Sequence, residues 1–140
     1  MAQIESDFIE LLALNGYSVT EARILLFKLL LGKEPMTMSE ITHNASNFSD
    51  RATVYRNISL FDRLGVIHKL QIGWKYKIEL SDRFHPHHHH ITCQSCGKTE
   101  TINLNEKLEN FFNLQAESLG YILSDHQLEL SGVCKLCKKT

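Results

Sequence analysis

At 140 residues and 43% apolar content, the chain is long enough for one ordinary domain or two small ones and too apolar to be disordered. No stretch approaches the roughly 20 apolar residues of a membrane span, and Met1-Ala2-Gln3-Ile4-Glu5 lacks the basic flank of a signal peptide, so a cytoplasmic protein with no membrane partner is expected. The net charge of −1 gives no global reason to expect nucleic acid, yet residues 51–75 hold Arg51, Arg56, Arg63, Lys69 and Lys75 against Asp62 alone, a local basic face suited to phosphate.

Ile4, Phe8, Leu11 and Leu12 fall at helical spacing until Asn15-Gly16. Thr20 reads as the N-cap of a second helix, with Glu21 in its first turn and an apolar run from Ile24 to Leu31 before Gly32. A short third helix begins near Thr37 to Ser39 and carries Ile41 and Ala45. Ser49 can cap a fourth, along which Ala52, Tyr55, Ile58 or Ser59, and Phe61-Leu64 recur until Gly65 stops it. The period then changes: Ile67, Leu70 and Ile72, then Trp74, Tyr76, Ile78 and Leu80, alternate as two strands with Gly73 at the turn. Helices followed by a hairpin are the layout of a winged helix-turn-helix, whose helix at about residues 50 to 64 enters the major groove.

Ser81 to Pro86 is polar and reads as a junction. Beyond it, His88 to Thr92 and Lys98 to Asn103 read as strands, Leu104 to Leu119 as a helix with Leu108, Phe111, Phe112, Leu114 and Leu119 apolar, and Tyr121 to Leu130 as a last strand. The predicted fold is therefore α+β: a winged-helix DNA-binding domain over residues 1–80, a hinge over 81–87, and a small metal-binding α/β domain over 88–140.

The only four cysteines form two CxxC pairs, Cys93/Cys96 and Cys134/Cys137. A two-residue gap lets both thiolates of a pair reach one ion, and two pairs complete a tetrahedral Zn²⁺ shell. The competing reading, two redox-active pairs, is disfavoured because such a motif normally opens a helix and one suffices. A structural zinc contributes folding free energy, about 10–16 kcal/mol of apparent binding in small modules.

His85-Pro86-His87-His88-His89-His90 lies inside the chain and is broken by proline, unlike an expression tag. On a strand, alternate residues face opposite sides, so His88 and His90 share one face and His87 and His89 the other. One cluster can thus serve two sites. Glu109 and His126 could converge with His87 and His89, although a lone histidine in an apolar strand is often a core residue. His68, Glu79, Asp82 or His85 could join His88 and His90. In the fourth helix, Arg51, Thr53, Tyr55, Arg56 and Asn57 are the polar and aromatic residues nearest the N-terminal half. Of these the arginines, Thr53 and Tyr55 are suited to phosphate and base contacts, with a solvated helix face as the bland reading; Arg23, just after the Thr20 cap, is similarly placed.

Thr20-Glu21-Ala22-Arg23, Ala52-Thr53-Val54-Tyr55-Arg56-Asn57, Leu64-Gly65-Val66-Ile67, the histidine run into Cys93-Gln94-Ser95-Cys96-Gly97-Lys98 and the terminal CxxC resemble, in order, the ferric uptake regulator family. The resemblance runs from about Leu12 to Lys138. It implies a dimeric, metal-dependent repressor with an N-terminal winged helix and a C-terminal dimerisation domain. Asn15-Gly16-Tyr17, Tyr55-Arg56-Asn57-Ile58-Ser59-Leu60, the four consecutive histidines and Cys96-Gly97-Lys98-Thr99 are most similar to the zinc uptake regulators. By that likeness the four cysteines match a structural zinc. His68, Glu79, His88 and His90 match a regulatory site, with Asp82 and His85 competing for the Glu79 role. His87, His89, Glu109 and His126 match an additional site. Iron-sensing members usually have a histidine where this chain has Pro35-Met36-Thr37, and the carboxylate common in iron and peroxide sensors aligns with Thr101.

The expectation is a zinc-responsive repressor binding palindromic operator DNA as a homodimer, with no small organic substrate. Fe²⁺ or Mn²⁺ at the regulatory site, or peroxide sensing, is the nearest alternative. A zinc hydrolase built on His88, His90 and Glu79 needs an open coordination position and a substrate cleft, and a thiol oxidoreductase needs thiol turnover; neither enzyme is expected.

Overall fold

The fold begins with helices whose ends are written locally. A computed structural model describes residues 2–72 and 74–138 of the chain. It contains α1 (Ala2–Leu14), α2 (Glu21–Leu30), α3 (Met38–Asn44) and α4 (Arg51–Arg63), then β1 (Ile67–Ile72), β2 (Lys75–Leu80), β3 (His89–Cys93), β4 (Thr99–Ile102), α5 (Glu106–Ser118) and β5 (Glu129–Gly132). The turn expected at Gly73 lies outside the described residues. Thr20 caps α2 by accepting from the Arg23 N–H, as its sequence position predicts. Asp50, not Ser49, caps α4, because its carboxylate reaches the Thr53 N–H at 2.7 Å. At the other end of α4, Gly65 takes φ 72°, and the N–H groups of Gly65 and Val66 return to the carbonyls of Asp62 and Phe61. That pair of bonds closes the helix at a position where an L side chain would be strained.

The chain divides into two compact units, one ending at Pro86 and one beginning at His87. The first has a continuous apolar core. Phe8 stacks on Phe27 at 4.2 Å, Phe61 meets Phe8 edge-on at 5.3 Å, and Phe84 meets Phe27 edge-on at 5.2 Å. Phe84 belongs to the stretch whose composition reads as a polar junction, yet it is buried in this core. Ser81 is likewise tied in, its hydroxyl donating to the Gly65 carbonyl at 2.7 Å.

The buried stripe of α4 is Val54, Asn57, Ile58, Leu60 and Phe61, while Ala52, Tyr55 and Ser59 are exposed. This corrects the expected stripe: the helix is rotated so that Tyr55 leaves the core. β1 and β2 pair antiparallel, with Ile67 opposite Leu80 and His68 opposite Glu79. Met36 adds a single bridge to Ile78 on the far side of β2.

In the second unit β3 is the central strand, antiparallel to β4 and parallel to β5. The expected strand at Tyr121 to Leu130 is corrected here, because regular pairing begins only at Glu129. Residues 121–128 have no ladder partner among the described residues, so their alternation is not used. No helix among the described residues is long and apolar enough to cross a membrane.

Candidate metal centres and nucleic-acid interface

Parallel pairing of β3 with β5 sets Cys93 opposite Gly132, and Gln94 donates to the Gly132 carbonyl at 2.8 Å. This places the second CxxC directly beside the first. Donor atoms of Cys93, Cys96, Cys134 and Cys137 lie within 4.8 Å of one another, and the thiols are unoxidised. The Cys96 and Cys134 sulfurs are 3.8 Å apart. Four sulfurs about 2.3 Å from one zinc would stand about 3.8 Å apart, so the donor set fits that ion.

Backbone N–H groups of Cys134 and Cys96 point at the Cys93 sulfur at 3.3 and 3.5 Å. They pull the Cys93 thiol down to about 6, the Cys134 N–H contributing most. The Cys137 thiol is pushed up to about 12, chiefly by its hydrogen bond with Cys134 and then by burial. Thiols this close cannot all ionise without a cation between them. A divalent ion removes that conflict.

His87 and His89 project from one side of the strand approach toward Glu109, which α5 presents in its first turn. His89 Nε2 lies 2.6 Å from Glu109 Oε1, and His126 Nε2 lies 3.0 Å from Oε2. His87 Nε2 is 3.2 Å from His126 Nε2 and 3.5 Å from Glu109 Oε1. Nitrogen and oxygen donors about 2.0–2.1 Å from a tetrahedral zinc stand about 3.3 Å apart, close to this spread. Burial would raise the Glu109 carboxyl, but the His89 hydrogen bond and charge, with His87 and His126 nearby, hold it below its ordinary range. The ring of Phe112, one turn from Glu109, lies 4.9 Å from that of His126. His126 is thus a partly exposed donor rather than a core residue.

The other face of the histidine run behaves differently. His88 and His90 rings are 4.6 Å apart, and His90, only 1% exposed, has Nδ1 3.6 Å from Glu129 on β5. Glu129 was not among the expected donors; its proximity follows from the parallel β3–β5 register, which short-range pattern does not reveal. In the first unit, His68 Nε2 meets the buried Glu79 carboxylate at 2.8 Å across the hairpin. His85 turns to the Pro86 carbonyl at 3.1 Å, and Asp82 is exposed.

The expected DNA contacts gather on one side of the first unit. A cleft of about 750 Å³ is lined by Arg23, Thr53, Tyr55 and Arg56, together with Arg63 and Thr20. Arg56 donates to the Thr53 hydroxyl at 3.0 Å, and Arg51 lies over the Tyr55 ring at 5.5 Å. Asn57, read from the sequence as a polar residue of this helix but given no role there, accepts from Arg23 at 3.1 Å. Its signal was present: Val54, Asn57, Ile58 and Phe61 form a helical apolar column with one polar member.

Residues 14–131 match the ferric uptake regulator family. Over 89 residues the chain is 33% identical to the ferric uptake regulation protein of Synechococcus elongatus, covering 64% of this chain and 60% of that protein. Over 91 residues it is 34% identical to the peroxide operon regulator of Bacillus subtilis, covering 63% of this chain and 59% of that protein. The match thus spans about three fifths of these curated relatives. The solved ferric uptake regulator of Helicobacter pylori shares the fold, with a TM-score of 0.81 at 22% identity over 99% of this chain and 94% of that one.

Proposed function

This chain belongs to the ferric uptake regulator family, and on that premise we propose that it is a zinc-responsive transcriptional repressor, cytoplasmic, binding palindromic operator DNA as a homodimer. The observation that carries the reading is the split of the histidine run. His87 and His89 are engaged with Glu109 and His126, while His88 and His90 face the opposite way along the strand. A chain needing only a structural metal would have stopped at the four cysteines.

In this reading the cysteines hold a permanent zinc, and His87, His89, Glu109 and His126 hold a second ion. The exchangeable ion is assigned to His88 and His90, with His68 and Glu79 as the remaining donors. When bound, the ion supplies positive charge and a rigid link among those donors. His68 Nε2 and Glu79 Oε1 stand 2.8 Å apart across the hairpin. Loading of this ion is proposed to raise the dimer's affinity for an operator whose half-sites lie about 34 Å apart. A coupling of about 1–3 kcal/mol is typical of such linkage.

Zinc is favoured over iron and peroxide sensing because Pro35-Met36-Thr37 lacks the histidine usual in iron-sensing members and Thr101 stands where iron and peroxide sensors carry a carboxylate. Ligand type alone does not choose among Zn²⁺, Fe²⁺ and Mn²⁺. The second copy is inferred from α5, which buries no residue and exposes Leu108, Phe111 and Leu114. Regulation by iron, manganese or peroxide is the second reading, supported by likeness to the Bacillus subtilis peroxide operon regulator.

Operator affinity measured in buffered Zn²⁺, Fe²⁺ and Mn²⁺, alongside metal stoichiometry per chain, separates the readings. Affinity should rise with free zinc at a stoichiometry above one. Activation by Fe²⁺ or Mn²⁺ alone, or release by peroxide, would overturn the zinc assignment.

A further inference from the structure

The cleft that gathers Arg23, Arg56 and Arg63 has no acidic side chain among its lining residues. At its base, Asn57 is 7% exposed, set among the apolar residues of α4. A buried amide oxygen needs a donor, and Arg23 Nε supplies it at 3.1 Å. The same guanidinium is held twice more: Nη1 donates to the Ser18 carbonyl at 2.7 Å and to the Ser18 hydroxyl at 3.3 Å. Its carbon lies 5.9 Å from the centre of the Tyr17 ring.

A guanidinium carries five N–H donors. Three are committed to the scaffold, one on Nε and two on Nη1. The two on Nη2 make no hydrogen bond among the described residues. We propose that Asn57 is a positioning residue, locking Arg23 so that Nη2 presents its N–H pair to a backbone phosphate of duplex DNA seated in this cleft. The inference rests on the DNA-binding reading above and deepens it by naming the atom that meets the phosphate and the side chain that aims it.

The choice of amide at position 57 follows from charge. A carboxylate there would hold Nε as well but would neutralise the guanidinium and repel the phosphate. An apolar residue would leave the guanidinium held through Nη1 alone, free to turn about the Ser18 contact and to lose that freedom only on binding. Asparagine holds the group and leaves its charge intact. Phosphate contacts carry no sequence information, so the effect should appear on any duplex.

The test uses the full chain with zinc present and a short mixed-sequence DNA duplex, with affinity measured across a salt series. Arg23→Ala should flatten the slope of log K against log salt by about 0.9, the share of one phosphate contact. Asn57→Ala should flatten it in the same direction, and adding it to Arg23→Ala should cost nothing more. Asn57→Asp should also flatten the slope while the protein keeps its melting temperature, which covers the case in which Asn57→Ala does not fold. An unchanged slope in Asn57→Asp, or an Asn57→Ala penalty that persists in full without Arg23, overturns the assignment. If the unsubstituted protein binds no duplex at any zinc level, the DNA-binding reading fails, and this inference with it.

Discussion

The two units hold themselves together by different means. In the first, the fully buried side chains are Phe8, Phe27, Phe61, Leu12, Ile41 and others of their kind, meeting in one apolar core. In the second, the buried side chains among the described residues are Cys93, His89, His90 and Thr92. Three of these are metal-ligand types. Its large apolar residues face outward instead, Ile122 being 97% exposed and Phe111 half exposed. The first unit can therefore stand on hydrophobic burial, whereas in the proposed reading the second would draw on bound ions and on a second copy.

The sharpest break of this contrast is removal of a cysteine. Cys137→Ser, or stripping of zinc with a strong chelator, should unfold the second unit and abolish dimers while the helical head retains its cooperative melt. Circular dichroism with sedimentation would follow both. A stable dimer without zinc would refute the structural role of the four sulfurs.

The reverse experiment strikes the apolar core. Phe84→Ala removes a ring packed against Phe8 and Phe27 and should cost the head about 3–5 kcal/mol. The four-sulfur site should keep its zinc, as measured by metal analysis after gel filtration. Loss of both together would mean that the units do not draw on separate sources of stability.

A smaller effect is expected at the outward face of α5. Phe111→Glu should weaken self-association by about 2 kcal/mol or more, roughly thirtyfold in Kd, with little change in the monomer's fold. Sedimentation over a concentration series reads this directly. Unchanged association would move the dimer surface elsewhere on the second unit.

How far the sequence could be read follows the same division. Where a decision is local, residues declare it: Thr20 caps α2, Gly65 closes α4, and each CxxC sets two sulfurs on one turn. The four-sulfur cluster was legible because its spacing alone implies convergence. The opposed faces of the histidine run were legible because a strand's period is two. What escaped required long-range pairing. The parallel β3–β5 register brings Glu129 opposite His90, and it leaves His126 in an unpaired stretch rather than on a strand. Phe84 was hidden by its polar neighbours, and the burial of Asn57 by an apolar stripe assigned one step around the helix.

The smallest expected effect lies at the entry to α4 and concerns the first unit alone. The Thr53 hydroxyl, and then the Thr53 N–H, hold the Asp50 carboxyl below its ordinary value. A group whose folded-state pKa is depressed stabilises above its unfolded pKa, about 3.9 for aspartate, and that contribution fades as pH falls through the folded value. Asp50→Ala should therefore lower the head's melting temperature modestly at neutral pH, and the difference from the unsubstituted protein should shrink as the solution is acidified below about pH 4. Asp50→Asn retains a capping oxygen without the charge, so it should recover much of the loss at neutral pH and show little of the pH dependence. Melting curves of the three proteins across that range read the cap directly, since the effect originates in the helix end and not in any metal ligand. A difference that grew on acidification would place the Asp50 charge against the fold rather than in its favour.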